Sequence, residues 1–241
     1  MPIRFPTERH RLALDDVLAE LHADPNVLGV MVGGSLARGT ARDDSDIDVM
    51  AVVKDEKATR SGRKYYGTIL VEQGARTPEE WARHFSPARI SDESWGYAFL
   101  DGVIVHDPHG AVAGLVTRAT EAHATYRVPD AIKAHYAWHW SHALPKLRAV
   151  LHKQDPVEIG WAAAVMTNSV IETIWAINGR PLPSRDLGCL QRNLDELTTP
   201  ARAADRIRDI LRAAPEDALR LQLQLLDEAV PYLPEPGVDE P

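Results

Sequence analysis

The segment at residues 33–48, which reads GGSLARGTARDDSDID, constrains this chain more than any other. It lies between two apolar runs, residues 27–32 and 47–53, and both runs read as buried strands. Asp46 and Asp48 stand two residues apart at the start of the second run, so strand alternation points both carboxylates to one face. Carboxylates on one face are the hard oxygen ligands that Mg²⁺ prefers. The pattern therefore predicts a magnesium site where the second strand begins.

The first part of the same segment has the composition of a phosphate-binding turn. Gly33 and Gly34 carry no side chain, so the backbone can approach a phosphate closely. Ser35 adds a hydroxyl donor near a helix start, where free backbone N–H groups favour anions. Arg38 and Arg42 are candidates to contact the triphosphate, with a solvated loop charge as the alternative, which we favour for Arg42. Ser45 is placed to brace the turn before the strand. A Gly-Gly-Ser turn or an Asp-x-Asp pair alone is commonplace, but their combination between two strands favours nucleotide binding.

The pattern of predicted secondary structure changes about half-way along the chain. Apolar patterning predicts a helix at residues 12–21, strands at 27–32, 47–53, 68–71 and 103–105, and a helix that begins after Thr77. Four further helices follow at residues 131–152, 157–178, 200–212 and 215–229. We therefore expect an α+β domain over residues 1–124, an all-α domain over 125–230 and a flexible, proline-rich acidic tail over 231–241.

The composition of the chain indicates which classes of partner and which cellular compartment to expect. The net charge of −8 argues against a long nucleic-acid track, so a nucleic-acid partner is not expected. No apolar run approaches the roughly 20 residues that span a bilayer, and the first ten residues lack the apolar core of a signal peptide. One cysteine excludes an internal disulfide framework and a cysteine-rich zinc site. We expect a cytoplasmic protein without a membrane partner; the oligomeric state is open.

The segment resembles the nucleotidyltransferase superfamily, which includes DNA polymerase β and the antibiotic nucleotidyltransferases. The family pattern is Gly-Ser, a short helix with glycine, then Ser-Asp-x-Asp, and it is matched here by Gly34, Ser35, Gly39, Ser45, Asp46 and Asp48. A looser likeness covers residues 103–110, and the helical half is similar to the substrate domain of kanamycin- and lincosamide-type enzymes, including residues 178–181 and Ser184-Arg185. The resemblance implies a small mixed sheet flanked by helices, followed by a helical bundle that binds the acceptor.

The resemblance also implies a reaction. A nucleoside monophosphate moves from a nucleoside triphosphate, with ATP expected, to a hydroxyl of a small acceptor such as an aminoglycoside or lincosamide, and pyrophosphate leaves. Asp46, Asp48 and a third carboxylate hold one or two Mg²⁺ ions. Glu72 is our choice for the third, although the family more often has aspartate there and an exposed strand-end glutamate is the alternative. A further carboxylate accepts the hydroxyl proton, and Glu172 and Glu93 are the candidates, although neither belongs to a specific motif and a surface helix glutamate is the alternative for Glu172.

Two other functions remain open at this point. A protein adenylyltransferase of antitoxin type has the same motif, but such proteins tend to lack a long helical half. A non-catalytic nucleotide-binding domain is the other alternative, and the intact aspartate pair argues against it.

We interpret the histidine and tryptophan residues of the helical half as packing residues and not as metal ligands. His135, His139 and His142 have helical spacing without a nearby cysteine or carboxylate, which favours a packed helix over a zinc site. Trp161 and Trp175 are expected in the core.

Overall fold

The computed structural model describes residues 3–86, 95–183 and 187–236. Contacts divide the chain into two compact units, one made of Met1–Thr125 with Pro183–Cys189 and the other of Tyr126–Leu182 with Leu190–Pro241. The prediction of an α+β part followed by a helical part is confirmed.

The first unit is built on a five-stranded mixed sheet with the strand order β3-β4-β2-β1-β5. Its strands are β1 (Val27–Val32), β2 (Ile47–Val53), β3 (Gly62–Tyr66), β4 (Ile69–Arg76) and β5 (Val103–His106). Its helices are α1 (Glu8–Ala23), α2 (Gly34–Arg38), α3 (Pro78–Arg83), α4 (Trp95–Asp101) and α5 (Ala111–Thr125). Strands β2 and β4 run parallel, and each other neighbouring pair is antiparallel.

Each face of the sheet buries its own hydrophobic cluster. Alternate residues of β1 and β2, such as Val30 and Val49, pack with Leu14 and its neighbours on α1. The residues between them point to the other face, where Met50 packs with Trp81 and the buried side chains of α5. Asp48 has the same parity along β2 as Met50, so its carboxylate lies on the Met50 face of the sheet.

The second unit is a helical bundle with one extended core. Its helices are α6 (Asp130–Lys153), α7 (Pro156–Ile177), α9 (Ala203–Arg212) and α10 (Pro215–Ala229), and α8 (Leu187–Asn193) precedes α9. Trp140 and Trp175 are fully enclosed, and the indole N–H of Trp140 donates to the Thr173 hydroxyl (2.7 Å). Among the helices that the structure describes, each is too short or too polar to cross a membrane.

Several sequence expectations differ from the structure. Strand β3 escaped prediction because its residues, Gly-Arg-Lys-Tyr-Tyr, are mostly exposed at the sheet edge and carry no apolar alternation. Trp161 was expected in the core but is 73% exposed, since it lies on the outer face of α7. The tail predicted from residue 231 begins with structure, because Val230–Tyr232 form a 3₁₀ turn and Leu233 is buried.

Candidate active site

Three carboxylates meet on one face of the sheet in the first unit. Asp46 lies just before β2, Asp48 lies on β2 and Glu72 lies on β4, and one oxygen from each falls within 4.8 Å of the others. The parallel pairing of β2 and β4 makes Asp48 and Glu72 direct neighbours, which explains why residues far apart in sequence converge. Three like charges this close repel one another. A divalent cation that prefers oxygen ligands relieves that repulsion, so these residues fit a divalent metal ion.

The glycine turn is joined directly to this carboxylate group. The Gly33 N–H donates to the Asp48 carbonyl oxygen (2.9 Å), which fixes the turn after β1 against the start of β2. Gly34 has φ +60°, and a Cβ there would lie 1.8 Å from Oδ2 of Asp48. The glycine therefore leaves room for the Asp48 carboxylate. The sequence analysis explained this glycine by the close approach of a phosphate and did not predict the contact with Asp48. Ser35 follows at the first turn of α2, partly buried.

Ser45 braces the turn that carries Asp46. The Ser45 hydroxyl accepts from the Arg42 N–H (2.9 Å), and the Ser45 N–H donates to the Arg42 carbonyl (3.0 Å). The Arg42 side chain itself is 82% exposed. Arg38 ends α2, partly buried.

His10 supports the same turn from α1, and sequence reasoning missed it. The imidazole is fully buried, and its Nε2 lies 3.0 Å from the Ser45 carbonyl oxygen. Because a carbonyl only accepts, the Nε2–H donates to it, and Nδ1 lies within hydrogen-bond distance of the Thr7 hydroxyl (2.7 Å). A histidine in the first turn of an amphipathic helix carries no signal that links it to a turn 35 residues later.

Arg63 is the second residue that the sequence did not indicate. It lies opposite Glu72 in the antiparallel pairing of β3 with β4, and its Nε lies 2.8 Å from Oε1 of Glu72. A cavity of about 350 Å³ adjoins this pair. It is lined by Asp48, Val49, Met50, Ser61, Gly62, Arg63, Glu72, Gln73, Gly74 and Arg76.

Glu172, the predicted proton acceptor, belongs to the helical unit and lies on α7. Its Oε2 accepts from the Tyr136 hydroxyl (3.1 Å) and its Oε1 from the Asn168 amide (2.6 Å). His139 belongs to the same group: burial, together with the charge of His135, lowers the pKa of His139, while Glu172 acts in the opposite direction.

The sequence analysis also singled out the histidines of α6 and the residues Glu93 and Ser184-Arg185. Among the described residues, the three carboxylates of the first unit are the only group of three side chains arranged to hold a metal, so the histidines of α6 do not form such a group. Glu93 and Ser184-Arg185 lie outside the described residues.

Comparison with known proteins gives a match to a protein family and matches to solved structures. Residues 14–82 match the family described as nucleotidyltransferase domain, and this span contains the glycine turn, Arg63 and all three carboxylates. The chain is similar to a solved nucleotidyltransferase-like protein from Exiguobacterium sibiricum 255-15, at 10% identity and a TM-score of 0.45. That alignment covers 92% of this chain and 74% of the other. No curated protein matches significantly.

Proposed function

We propose that this protein moves a nucleoside monophosphate from a nucleoside triphosphate to a hydroxyl of a small acceptor. The match of residues 14–82 to the nucleotidyltransferase domain family supports this proposal. The observation that carries the proposal is the convergence of Asp46, Asp48 and Glu72 beside the glycine turn. One neighbourhood thus offers ligands for a divalent cation together with backbone and hydroxyl donors for phosphates.

Each of these residues has a definite task in the proposal. Asp46, Asp48 and Glu72 would hold one or two Mg²⁺ ions, which when bound neutralise charge that develops on the phosphate oxygens. The turn at Gly33 and Gly34 and the Ser35 hydroxyl hold the triphosphate, for which ATP is the proposed source. His10 and Ser45 keep Asp46 in place, because both form hydrogen bonds that hold the turn from Arg42 to Ser45.

The reaction is an in-line displacement at the α-phosphorus. The acceptor oxygen forms a bond to that phosphorus while the bond to the bridging oxygen breaks, and the electron pair leaves with pyrophosphate. The hydroxyl proton passes to a carboxylate, and Glu172 is our candidate. Each Glu172 oxygen accepts one hydrogen bond and retains a second acceptor position, so it can still receive a hydroxyl.

The acceptor that we propose is a polyhydroxylated small molecule, with aminoglycosides and lincosamides as the first compounds to test. Tyr136, His139, Asn168 and Glu172 form a mixed group of donors and acceptors on α6 and α7, which suits hydroxyl and amino groups. We place residues 125–230 as the part that binds this acceptor and residues 1–124 as the part that binds nucleotide.

A mass-spectrometric screen tests the function. The protein is incubated with Mg²⁺, one of the four common ribonucleoside triphosphates and a panel of aminoglycosides, lincosamides and other polyols, and Asp46→Asn serves as the inactive control. We expect one acceptor to gain the mass of a nucleoside monophosphate, with an equal amount of pyrophosphate released. Labelling of a protein alone would favour an antitoxin-type adenylyltransferase, and the absence of pyrophosphate with every acceptor would favour a non-catalytic domain.

Replacement of Glu172 tests the helical unit separately. We expect Glu172→Gln to lower kcat/KM for the acceptor by about a hundredfold, the usual effect of losing a proton acceptor, while triphosphate affinity stays unchanged. Glu158→Gln is the matched control, because Glu158 lies on the same helix but is paired with Lys153 at its exposed start. Steady-state rates and calorimetric titration with a non-hydrolysable triphosphate give the two quantities. Equal rates in both variants would remove Glu172 from the mechanism.

A further inference from the structure

Arg63 contacts one of the carboxylates that the proposed metal needs. Its Nε lies 2.8 Å from Oε1 of Glu72, and Oε1 and Oε2 are the only side-chain atoms through which Glu72 can bind a cation. Glu72 is also one of three residues whose oxygens come within 4.8 Å of each other. The same carboxylate is therefore shared between an ion pair and a metal-binding group.

The two uses of Glu72 oppose each other. A guanidinium group in contact with the carboxylate occupies one of its lone pairs and offsets its charge. A divalent cation brought to the same carboxylate is repelled by the fixed positive charge of Arg63. Metal binding must therefore either displace Arg63 from Glu72 or tolerate it at short range.

The surroundings of Arg63 permit displacement. Its side chain is 72% exposed and lies on the edge strand β3, whereas the Glu72 side chain is 32% exposed on the inner strand β4. Arg63 also lines the cavity of about 350 Å³ beside the carboxylates, so it has space to move without disturbing the core. Glu72, held between β2 and β3 on a paired strand, has less freedom.

We propose that Arg63 competes with the divalent metal for Glu72 and thereby lowers the metal affinity of the site. The inference rests on the proposed metal-dependent transfer and deepens it by naming a residue that regulates loading of that site. Arg63 is not a metal ligand in this account. Its effect is electrostatic and acts through Glu72.

The neighbouring residue provides a matched control. Lys64 follows Arg63 on β3 and carries the same charge, but it points to the opposite face of the sheet, where it pairs with Glu20 of α1 (2.6 Å). Lys64→Ala therefore removes one positive charge from the same strand without removing it from the carboxylate group. Any effect of overall charge appears in both variants, and competition for Glu72 appears in Arg63→Ala alone.

The test is titration of the purified full-length protein with Mn²⁺, in which free Mn²⁺ is measured by electron paramagnetic resonance and no substrate is present. Wild type, Arg63→Ala, Arg63→Lys, Lys64→Ala and Asp46→Asn are compared at low salt, and circular dichroism establishes that each is folded. We expect Arg63→Ala to bind Mn²⁺ about three- to tenfold more tightly than wild type, since the pair is exposed and partly screened. Lys64→Ala and Arg63→Lys should stay within about twofold of wild type, and the gain should shrink at about 0.5 M salt.

The outcomes separate the inference from the function on which it rests. Equal or weaker binding in Arg63→Ala, or an equal gain in Lys64→Ala, would overturn the role of Arg63 while Asp46-dependent binding in wild type would leave the metal site standing. Absence of Asp46-dependent binding in wild type and in Arg63→Ala would overturn both.

Discussion

Gly34 occupies a position that another residue fills only by moving the Asp48 side chain. Its φ of +60° is in the left-handed region, and a Cβ would lie 1.8 Å from Oδ2 of Asp48. The sequence correctly indicated that Gly34 and Asp48 belong to one motif. It did not indicate that they touch, because that contact depends on how the turn after β1 folds back against β2.

Gly34→Ala tests this contact. We expect Mn²⁺ affinity to fall by about tenfold or more, because the new methyl group displaces Asp48 in addition to straining the backbone by roughly 1–2 kcal/mol. Gly39→Ala is the control, since Gly39 also has a positive φ (+70°) but has nothing within 4 Å of the position of a Cβ. An equal loss in both variants would show that backbone strain alone explains the effect.

The strands differ in how well the sequence predicts where they begin and end. Strands β1 and β2 begin and end where their apolar runs do, because both are buried and bounded by polar turns. Strand β4 extends five residues beyond its predicted end because it continues to pair with β2 as far as Arg76. Strand β3 was missed because pairing at a sheet edge stabilises residues without an apolar pattern. The missed strand carries Arg63, so the partner of Glu72 was missed with it.

Helix α1 contributes to the site through His10, and its replacement should affect two properties. His10→Ala removes a buried ring and its hydrogen bond to the Ser45 carbonyl, so we expect the free energy of unfolding to fall by about 2–4 kcal/mol and Mn²⁺ affinity to fall as the turn before Asp46 loosens. Leu14→Ala is the control, because Leu14 is buried on the same helix in the cluster that α1 forms with the sheet. It should lower stability similarly without changing Mn²⁺ affinity. Chemical denaturation and Mn²⁺ titration measure the two, and unchanged metal affinity in His10→Ala would make it a purely structural residue.

Helix α6 should make stability depend on pH. Burial, with a smaller contribution from the charge of His135, lowers the pKa of His139, and its buried Nε2 has no hydrogen-bond partner among the described residues. The unfolded chain therefore takes up a proton more readily than the folded chain, and stability is lost as the pH falls below about 6.5. We expect the drop in Tm between pH of about 7.5 and 5.5 to be smaller in His139→Gln than in wild type. Equal drops in both proteins would contradict this assignment.

Across the whole molecule, the order of elements was predictable from the sequence, but the contacts between side chains of different elements were not. The predicted order, an α+β part followed by a helical part, is confirmed. It could be predicted because strand-like alternation in the first half of the sequence gives way to helical periodicity in the second half. Tyr136 and Glu172 are 36 positions apart and meet only through the packing of α6 on α7, which periodicity does not specify. The same limit applies to Glu72, whose position opposite Asp48 follows from strand order.

Release of pyrophosphate tests the central claim most directly. A triphosphate labelled at the α-phosphorus is incubated with protein, Mg²⁺ and the acceptor from the screen, and the products are separated for wild type, Asp48→Asn and wild type with excess chelator. We predict that the label moves to the acceptor with one pyrophosphate per transfer, and that the variant and the chelated sample lose at least about a thousandfold in rate, as expected when charge stabilisation by a metal is lost. Transfer that persists without the metal or without Asp48, or release of the terminal phosphate in place of pyrophosphate, would contradict the account.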